Sequence, residues 1–333
     1  MQSGQSKSQQ NDARKCLHIH PSRNVPTIIE DVHSGLFVKP RSLPPKYFYD
    51  DRGSELFDQI CATSEYYPTR TEDALLLSNS TNIIAEARPD RIIELGSGTS
   101  TKTRRLLDAC EQLEQKCDYL PFDVCESLLE TTATDLTSDY DWLEVMPLLG
   151  DYNAGLANMP ESDGNQLYVF LGSTIGNFDS TAAGEFVKEL RSCMTAGDYF
   201  LIGADRIKDE NILNAAYNDS EGITAAFNLN VLRVLNQEVG SNFDLNHFQH
   251  QACFNSSKKQ IEMYLVSLRD QEIHFESEDA SIQLEKGERI LTEISRKFDK
   301  EDIVSLLEEH EMEIVRCYQP DNEYFSLWLA RAL

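Results

Sequence analysis

Residues 91–100, Arg91-Ile92-Ile93-Glu94-Leu95-Gly96-Ser97-Gly98-Thr99-Ser100, decide how the rest of the chain is read. Ile92, Ile93 and Leu95 form a short apolar run, the text of a strand buried on both faces. The run stops at two glycines one residue apart, which permit a tight turn and close approach of backbone to a ligand. Beyond them Leu106, Cys110 and Leu113 recur at helical spacing over residues 101–113. Strand, glycine turn and helix in that order open a parallel α/β sheet.

Working outward, the same alternation repeats. Residues 119–124, 144–149, 167–171 and 199–203 read as further strands, and Asp179 or Ser180 caps a helix whose apolar face holds Phe186, Val187 and Leu190. After Asp205 the pattern breaks. Long alternating runs such as 260–266 follow a turn signal at 255–259, which predicts a β-hairpin. About ninety residues of this kind are more than a connection between two strands needs, so an inserted α+β domain is expected. The α/β text resumes with a helix near 299–311, for which Asp299 is the N-cap, and closes with strands at 313–318 and 325–332. A tight return between these two makes the last strand antiparallel. Upstream, Thr69-Arg70-Thr71-Glu72 has the form of a capping box for a helix carrying Leu75, Leu76, Ile83 and Ile84. The expected organisation is a disordered tail at 1–17, a substrate-binding domain from 18–70 and 208–297, and a cofactor-binding domain from 71–207 and 298–333.

Composition narrows the class of function. Fifty-six acidic against thirty basic side chains give the 333 residues a formal charge of −26, a field that repels nucleic acid. No apolar stretch approaches the ~20 residues of a membrane helix, and the first residues lack the apolar segment of a secretory signal. A cytoplasmic setting is expected, and nothing calls for a partner chain, so a monomer is expected. The eight cysteines are scattered with no CxxC pair, and His247 and His250 fall on opposite faces of a strand-like stretch, so no metal is expected.

The strand ends carry the chemistry. GxG alone is shared by dinucleotide oxidoreductases, methyltransferases and plain turns. Here the third glycine of the dinucleotide fingerprint is replaced by Thr101, and the strand carries the acidic Glu94 common in methyltransferase glycine loops. Asp123, closing the second strand, is placed to hold ribose hydroxyls, and Gly150-Asp151-Tyr152, closing the third, to meet an adenine. Helix capping would also account for either aspartate. After the fourth strand comes Phe170-Leu171-Gly172-Ser173-Thr174-Ile175-Gly176-Asn177, where methyltransferases of this architecture face the methyl acceptor. The Asn/Asp-Pro-Pro-aromatic motif of DNA amino-methyltransferases is absent from it.

Eight blocks in order, SLPPKYFYDDRGSELFDQI, EYYPTRTE, ELGSGTSTKTR, PFDV, FLGSTIGN, GITAAFN, QIEMYL and LTEIS-KF, resemble the histidine Nα-methyltransferases of ergothioneine biosynthesis (the EgtD family) over nearly all of residues 40–333. The resemblance implies a Rossmann-like class I methyltransferase sheet with an antiparallel last strand and an inserted α+β substrate-binding domain. It implies S-adenosyl-L-methionine as methyl donor and L-histidine as acceptor. Tyr66, Gly96, Lys102, Asp123, Asp151 and Tyr152 fall on the family's cofactor-binding positions, Tyr152 standing where Phe is common. Tyr49, Asn177, Tyr217, Glu293 and Ser295 fall on its substrate-binding positions and Met263 on a pocket wall. Cys125 stands where related sequences tend to have Asp.

These implied roles suit the residues. Asn177 and Tyr217 can hydrogen-bond a substrate carboxylate, and Tyr49 can contact the amine, which makes Tyr49 and Asn177 the candidate catalytic pair. Glu293 can accept an imidazole N–H, and Ser295, two residues on and on the same strand face, can reach the other ring nitrogen. The expected product is hercynine, formed by three transfers to the α-amine. Alternatives are the same reaction on tryptophan or tyrosine, which an apolar residue at 293 would suit better, a dinucleotide oxidoreductase, and a cofactor-binding regulator without turnover.

Overall fold

The computed structural model describes residues 15–333. The described residues begin with β1 (Leu17–His18), then α1 (Ile28–Gly35), opened by a Thr27/Glu30 capping box, and β2 (Arg41–Ser42). Helices α2 (Asp51–Ala62) and α3 (Tyr67–Ala87) lead to β3 (Arg91–Leu95) and α4 (Arg104–Gln112). Next come β4 (Asp118–Asp123), α5 (Glu126–Asp139), β5 (Glu144–Val145), β6 (Leu148–Leu149) and β7 (Gln166–Phe170). Helix α6 (Ser180–Ser192), capped by Asp179, precedes β8 (Tyr199–Asp205).

After β8 lie α7 (Glu210–Ala216), α8 (Ile223–Glu238), and strands β9 (Phe248–Asn255), β10 (Gln260–Ser267), β11 (Gln271–Phe275), β12 (Ala280–Leu284) and β13 (Arg289–Arg296). Helix α9 (Lys300–Glu308), with a capping box from Asp299 to Asp302, β14 (Met312–Tyr318) and β15 (Phe325–Ala332) complete it.

The larger sheet runs β1-β6-β4-β3-β7-β8-β15-β14, with β5 also on β4. Its strands are parallel through β8; β15 is antiparallel to both β8 and β14. The strand order reverses direction between β3 and β7, and at such a switch point the loops beyond the two carboxyl ends part to leave a crevice. Buried residues such as Ile92, Ile93, Tyr119, Leu167, Phe170 and Leu201 fill its two faces. A smaller sheet, β2-β13-β10-β9, packs against α8 around a separate cluster including Phe48, Phe227, Leu232, Ile261 and Leu265. The chain leaves and rejoins the larger sheet at adjacent points, where Arg206 bridges Phe298 in parallel.

Four local readings are corrected. Residues Leu17–His18 pair with Leu148–Leu149, Cys16 and Ile19 are buried, and Ile19 belongs to the larger sheet's core. The segment from 16 to 23 thus packs on that sheet, not in a tail or with the smaller sheet, because its apolar residues complete the exposed edge of β6. Residues 1–14, the remainder of the tail, lie outside the described residues. Thr69 is no cap: the helix starts three residues earlier, with Tyr66 at the N-cap and Pro68 in its first turn, where a missing N–H costs nothing. The expected third strand is two short pieces, separated at Pro147, which has no N–H for the ladder. His247 sits in a turn before β9, so only His250 is on the strand.

Candidate active site

The glycine turn opens the crevice. Gly96 and Gly98 adopt φ of +70° and +52°, left-handed values that L side chains rarely hold. Gly96 N–H donates to Phe122 O at 2.8 Å and Gly98 N–H to Asp123 Oδ2 at 2.9 Å, so the loop is tied to the end of β4. Asp123 Oδ1 accepts from Cys125 N at 3.1 Å. Asp123 therefore shapes two loops while each of its oxygens keeps a lone pair for a ligand. A Cβ built on Gly98 would meet nothing within 4 Å, whereas one on Gly96 would lie 3.4 Å from the Tyr152 ring.

Asp151 caps the short turn Tyr152–Ala154 by accepting from Asn153 N at 2.7 Å. Tyr152 stands edge-on to Phe170 at 5.5 Å and Phe186 at 6.0 Å. Burial, then Asp151 and Asp123, pushes its phenol above the ordinary tyrosine range. The ends of β3, β4 and β6 thus converge, with the Tyr152 ring as an aromatic floor beside Gly96 and open room at Gly98. Open room over Gly98, two carboxylates and that floor fit a nucleoside.

Lys102, in the turn before α4, donates to Glu72, a carboxylate with no exposure to solvent. Glu72 also accepts from Gly172 N at 2.9 Å, so α3 joins the loops following β3 and β7. Nothing in the local pattern around Glu72, which has the form of a capping box with Thr69, signals this role. Tyr66, buried at the start of α3, stands edge-on to Tyr217 at 6.0 Å. Tyr49 ends the turn Pro45–Phe48 and packs edge-on to Phe57 at 5.8 Å and Phe227 at 5.7 Å. Its phenol is pushed well up by burial, then by the charge of Glu293.

The opposite wall is β13. Met263 of β10 registers opposite Glu293 at a bulge and is buried. Glu293 accepts no hydrogen bond from any described side chain; burial raises its pKa to about 7, with Lys297 pulling the other way. Ser295 and Lys297 follow at period two. Tyr217 Oη lies 2.8 Å from Ser295 Oγ, and Lys297 Nζ donates to both at 2.9 Å. Lys297 also pairs with Asp205 at 2.9 Å, and Asp205 in turn accepts from Tyr67 Oη at 2.7 Å and pairs with Lys208 at 2.5 Å. His250 reinforces Tyr217 from behind. Asn228 Nδ2 donates to His250 Nδ1 at 2.9 Å, leaving Nε2–H to donate to Tyr217 O at 2.9 Å.

Asn177 ends the turn Thr174–Asn177 after β7. That turn is pressed onto β13, so that a Cβ on Gly176 would lie 2.8 Å from Arg296 O. The acceptor loop and the Glu293 strand are therefore in contact. Tyr217, expected at the carboxylate end with Asn177, has its hydroxyl engaged with Ser295 and Lys297, the residues on either side of the Arg296 that Gly176 abuts. Lys297, Asp205, Lys208 and Tyr67 were not singled out from the sequence. For Lys297 a signal existed, since Glu293, Ser295 and Lys297 alternate on one strand face.

A parallel run with the order β6-β4-β3-β7-β8, an antiparallel β15 inserted before β14, and a glycine turn at the switch point define a Rossmann-like class I methyltransferase. The chain belongs to the histidine-specific, S-adenosylmethionine-dependent methyltransferases, whose family profile matches residues 28–332. It is 44% identical over 279 residues to a histidine N-alpha-methyltransferase of Mycolicibacterium smegmatis, covering 84% of this chain and 87% of that one. To the histidine N-alpha-methyltransferase of Mycobacterium tuberculosis it is 42% identical over 300 residues, covering 90% and 93%. Ergothioneine biosynthesis protein 1 of Neurospora crassa is 32% identical over 88% of this chain, which corresponds to 33% of that longer protein. No helix among the described residues is long and apolar enough to cross a membrane.

Proposed function

We propose that this enzyme methylates the α-amine of L-histidine three times to give hercynine, the opening step of ergothioneine biosynthesis. The observation that carries the substrate choice is Glu293: a half-buried carboxylate, its pKa raised by desolvation to about 7, that has no hydrogen-bond donor among the described side chains and stands two residues from Ser295 on β13. A carboxylate drawn partly out of water gains when a ligand supplies the missing bond, and an imidazole N–H does so. An indole or phenol pocket would not need it.

S-adenosylmethionine, when bound, supplies a methyl carbon made electrophilic by its sulfonium. Asp123 is assigned to the ribose, Tyr152 and Asp151 to the adenine, and Lys102, Gly96 and Tyr66 to the methionyl end. Across the crevice Asn177 is assigned to the substrate carboxylate and Tyr49 to the amine, with Tyr217 and Met263 bordering the ring. The Tyr49 phenol, 36% exposed as a residue and held above the ordinary tyrosine range by desolvation and the charge of Glu293, is protonated, so it orients the amine through its lone pairs without competing as an anion. In each transfer the amine lone pair forms the N–C bond as the C–S bond breaks; the first two release an amine proton and the third leaves a quaternary nitrogen. These residues need only hold amine and methyl in line and keep water out. Residues around β13, β10 and α8 form the substrate-binding unit in this reading.

The test is a methylation assay over the twenty amino acids, read by mass. Histidine is expected to gain three methyl groups and to outpace tryptophan and tyrosine by orders of magnitude, since a site built to bond a substrate N–H rejects analogues lacking it. Faster methylation of tryptophan or tyrosine would overturn the histidine assignment.

A further inference from the structure

The proton pattern around Ser295 selects more than a ring with an N–H. Lys297 is buried to 1% exposure, and its three N–H donors are all committed: to Asp205 Oδ2, Tyr217 Oη and Ser295 Oγ, each at 2.9 Å. It is held charged by Asp205, which it shares with Lys208. An ammonium has no acceptor capacity, so neither hydroxyl can donate to it. Each therefore spends a lone pair on Lys297, and the two oxygens, 2.8 Å apart, share one further hydrogen bond. Two hydroxyl protons are available for that single bond. The other proton has no acceptor in the triangle and must point toward the ligand.

The phenol is the more acidic of the two hydroxyls and so the better donor. With Tyr217 donating to Ser295, both lone pairs of Ser295 Oγ are occupied and its proton faces outward. We propose that Lys297 is a specificity-determining positioning residue, which through Tyr217 fixes Ser295 as a hydrogen-bond donor so that the pocket takes the neutral imidazole in one tautomer. This role presupposes histidine as the substrate. Ser295 then offers a proton and no lone pair, while ionised Glu293 offers lone pairs and no proton. A neutral imidazole, with one bare nitrogen and one N–H, satisfies both. An imidazolium, with two N–H groups, would leave the serine proton unpaired and bring a second positive charge toward Lys297. An indole lacks the bare nitrogen and a phenyl ring lacks both groups. If Ser295 instead donated to Tyr217, leaving the phenol proton for the substrate carboxylate, Ser295 would accept from the ring and the opposite proton pattern would result.

The experiment is ¹⁵N NMR of ring-labelled histidine bound to the full chain with S-adenosylhomocysteine present, alongside calorimetry and kinetics. Wild type is expected to show one pyridine-type and one pyrrole-type nitrogen. Ser295→Ala and Lys297→Met should each shift the pyridine-type signal while leaving the pyrrole-type signal in place. Lys297→Met should raise the histidine KM about 10- to 100-fold, the effect of one broken buried hydrogen-bond set, with kcat and S-adenosylhomocysteine affinity little changed. Two pyrrole-type nitrogens in wild type would overturn the proposal, as would variants that move the pyrrole-type signal. So would an unmoved spectrum in Lys297→Met. Failure of wild type to bind histidine would instead overturn the functional reading, before any variant is compared. Should Lys297→Met not fold, Asp205→Asn/Lys297→Met removes both charges of the pair together and is held to the same spectral outcomes.

Discussion

Glu72 and Lys102 form an ion pair whose carboxylate is wholly buried and which also takes the N–H of Gly172. One side chain of α3 thereby fixes the loops beyond β3 and β7, the two strands that flank the crevice. Glu72→Gln keeps the size but weakens the grip on the ammonium, and Glu72→Ala removes it. The alanine variant is expected to lose about 3–5 kcal/mol of stability, the usual cost of breaking a buried pair. The glutamine variant should lose less stability but still bind S-adenosylmethionine more weakly. Chemical denaturation and calorimetry on the two variants check this; unchanged cofactor affinity in both would confine Glu72 to structure.

Asp123 holds Gly98 N as well as Cys125 N. Asp123→Ala is expected to weaken S-adenosylmethionine binding by about 1.5–3 kcal/mol, the worth of a hydrogen bond to a charged group, and to loosen the glycine turn. Asp123→Asn should retain part of the turn and lose mainly the ligand bonds. Calorimetry finding wild-type affinity in Asp123→Ala would remove it from the ribose site.

Glu293 titrates at about 7 in the folded chain, above its ordinary value of 4.5. Its folded form therefore binds a proton more readily than its unfolded form. Stability contributed by that proton is fully present below about pH 4.5 and is lost as pH rises through about 7. Glu293→Gln should flatten this part of the stability profile by about 2–3 kcal/mol. Histidine, by bonding the ionised carboxylate, should drive the proton off. Titrations near pH 6.5 in buffers of different ionisation enthalpy should show wild type releasing more protons per histidine bound than Glu293→Gln; equal release would mean that Glu293 is not facing the ring.

Deleting residues 1–14 should leave activity and melting temperature close to those of the full chain, because that segment has no apolar periodicity to dock. Deletion through residue 19 removes the buried Cys16 and Ile19 together with the pairing of Leu17–His18 to β6. A loss of about 2–4 kcal/mol is expected from the apolar burial. Thermal melts of the two truncations measure the difference, and equal melting temperatures would show that β1 contributes nothing.

Features that depend on local periodicity are legible in the chain before it folds. The apolar run 92–95, the two glycines, the antiparallel last strand, the hairpin between β9 and β10 and the caps at Asp179 and Asp299 are all legible from spacing and residue type. Which distant group each buried charge meets is set by long-range packing. Thr69-x-x-Glu72 has the letters of a capping box, yet Glu72 serves loops thirty and a hundred residues away. Lys297 reads as one more basic residue after a strand, yet Asp205 and Tyr217 draw it wholly inside. A short pattern records which face of an element is apolar, because that follows from the 3.6- and 2-residue periods. It holds no record of a buried ion's partner, which must be supplied across the fold once burial makes an unpaired charge too costly to keep.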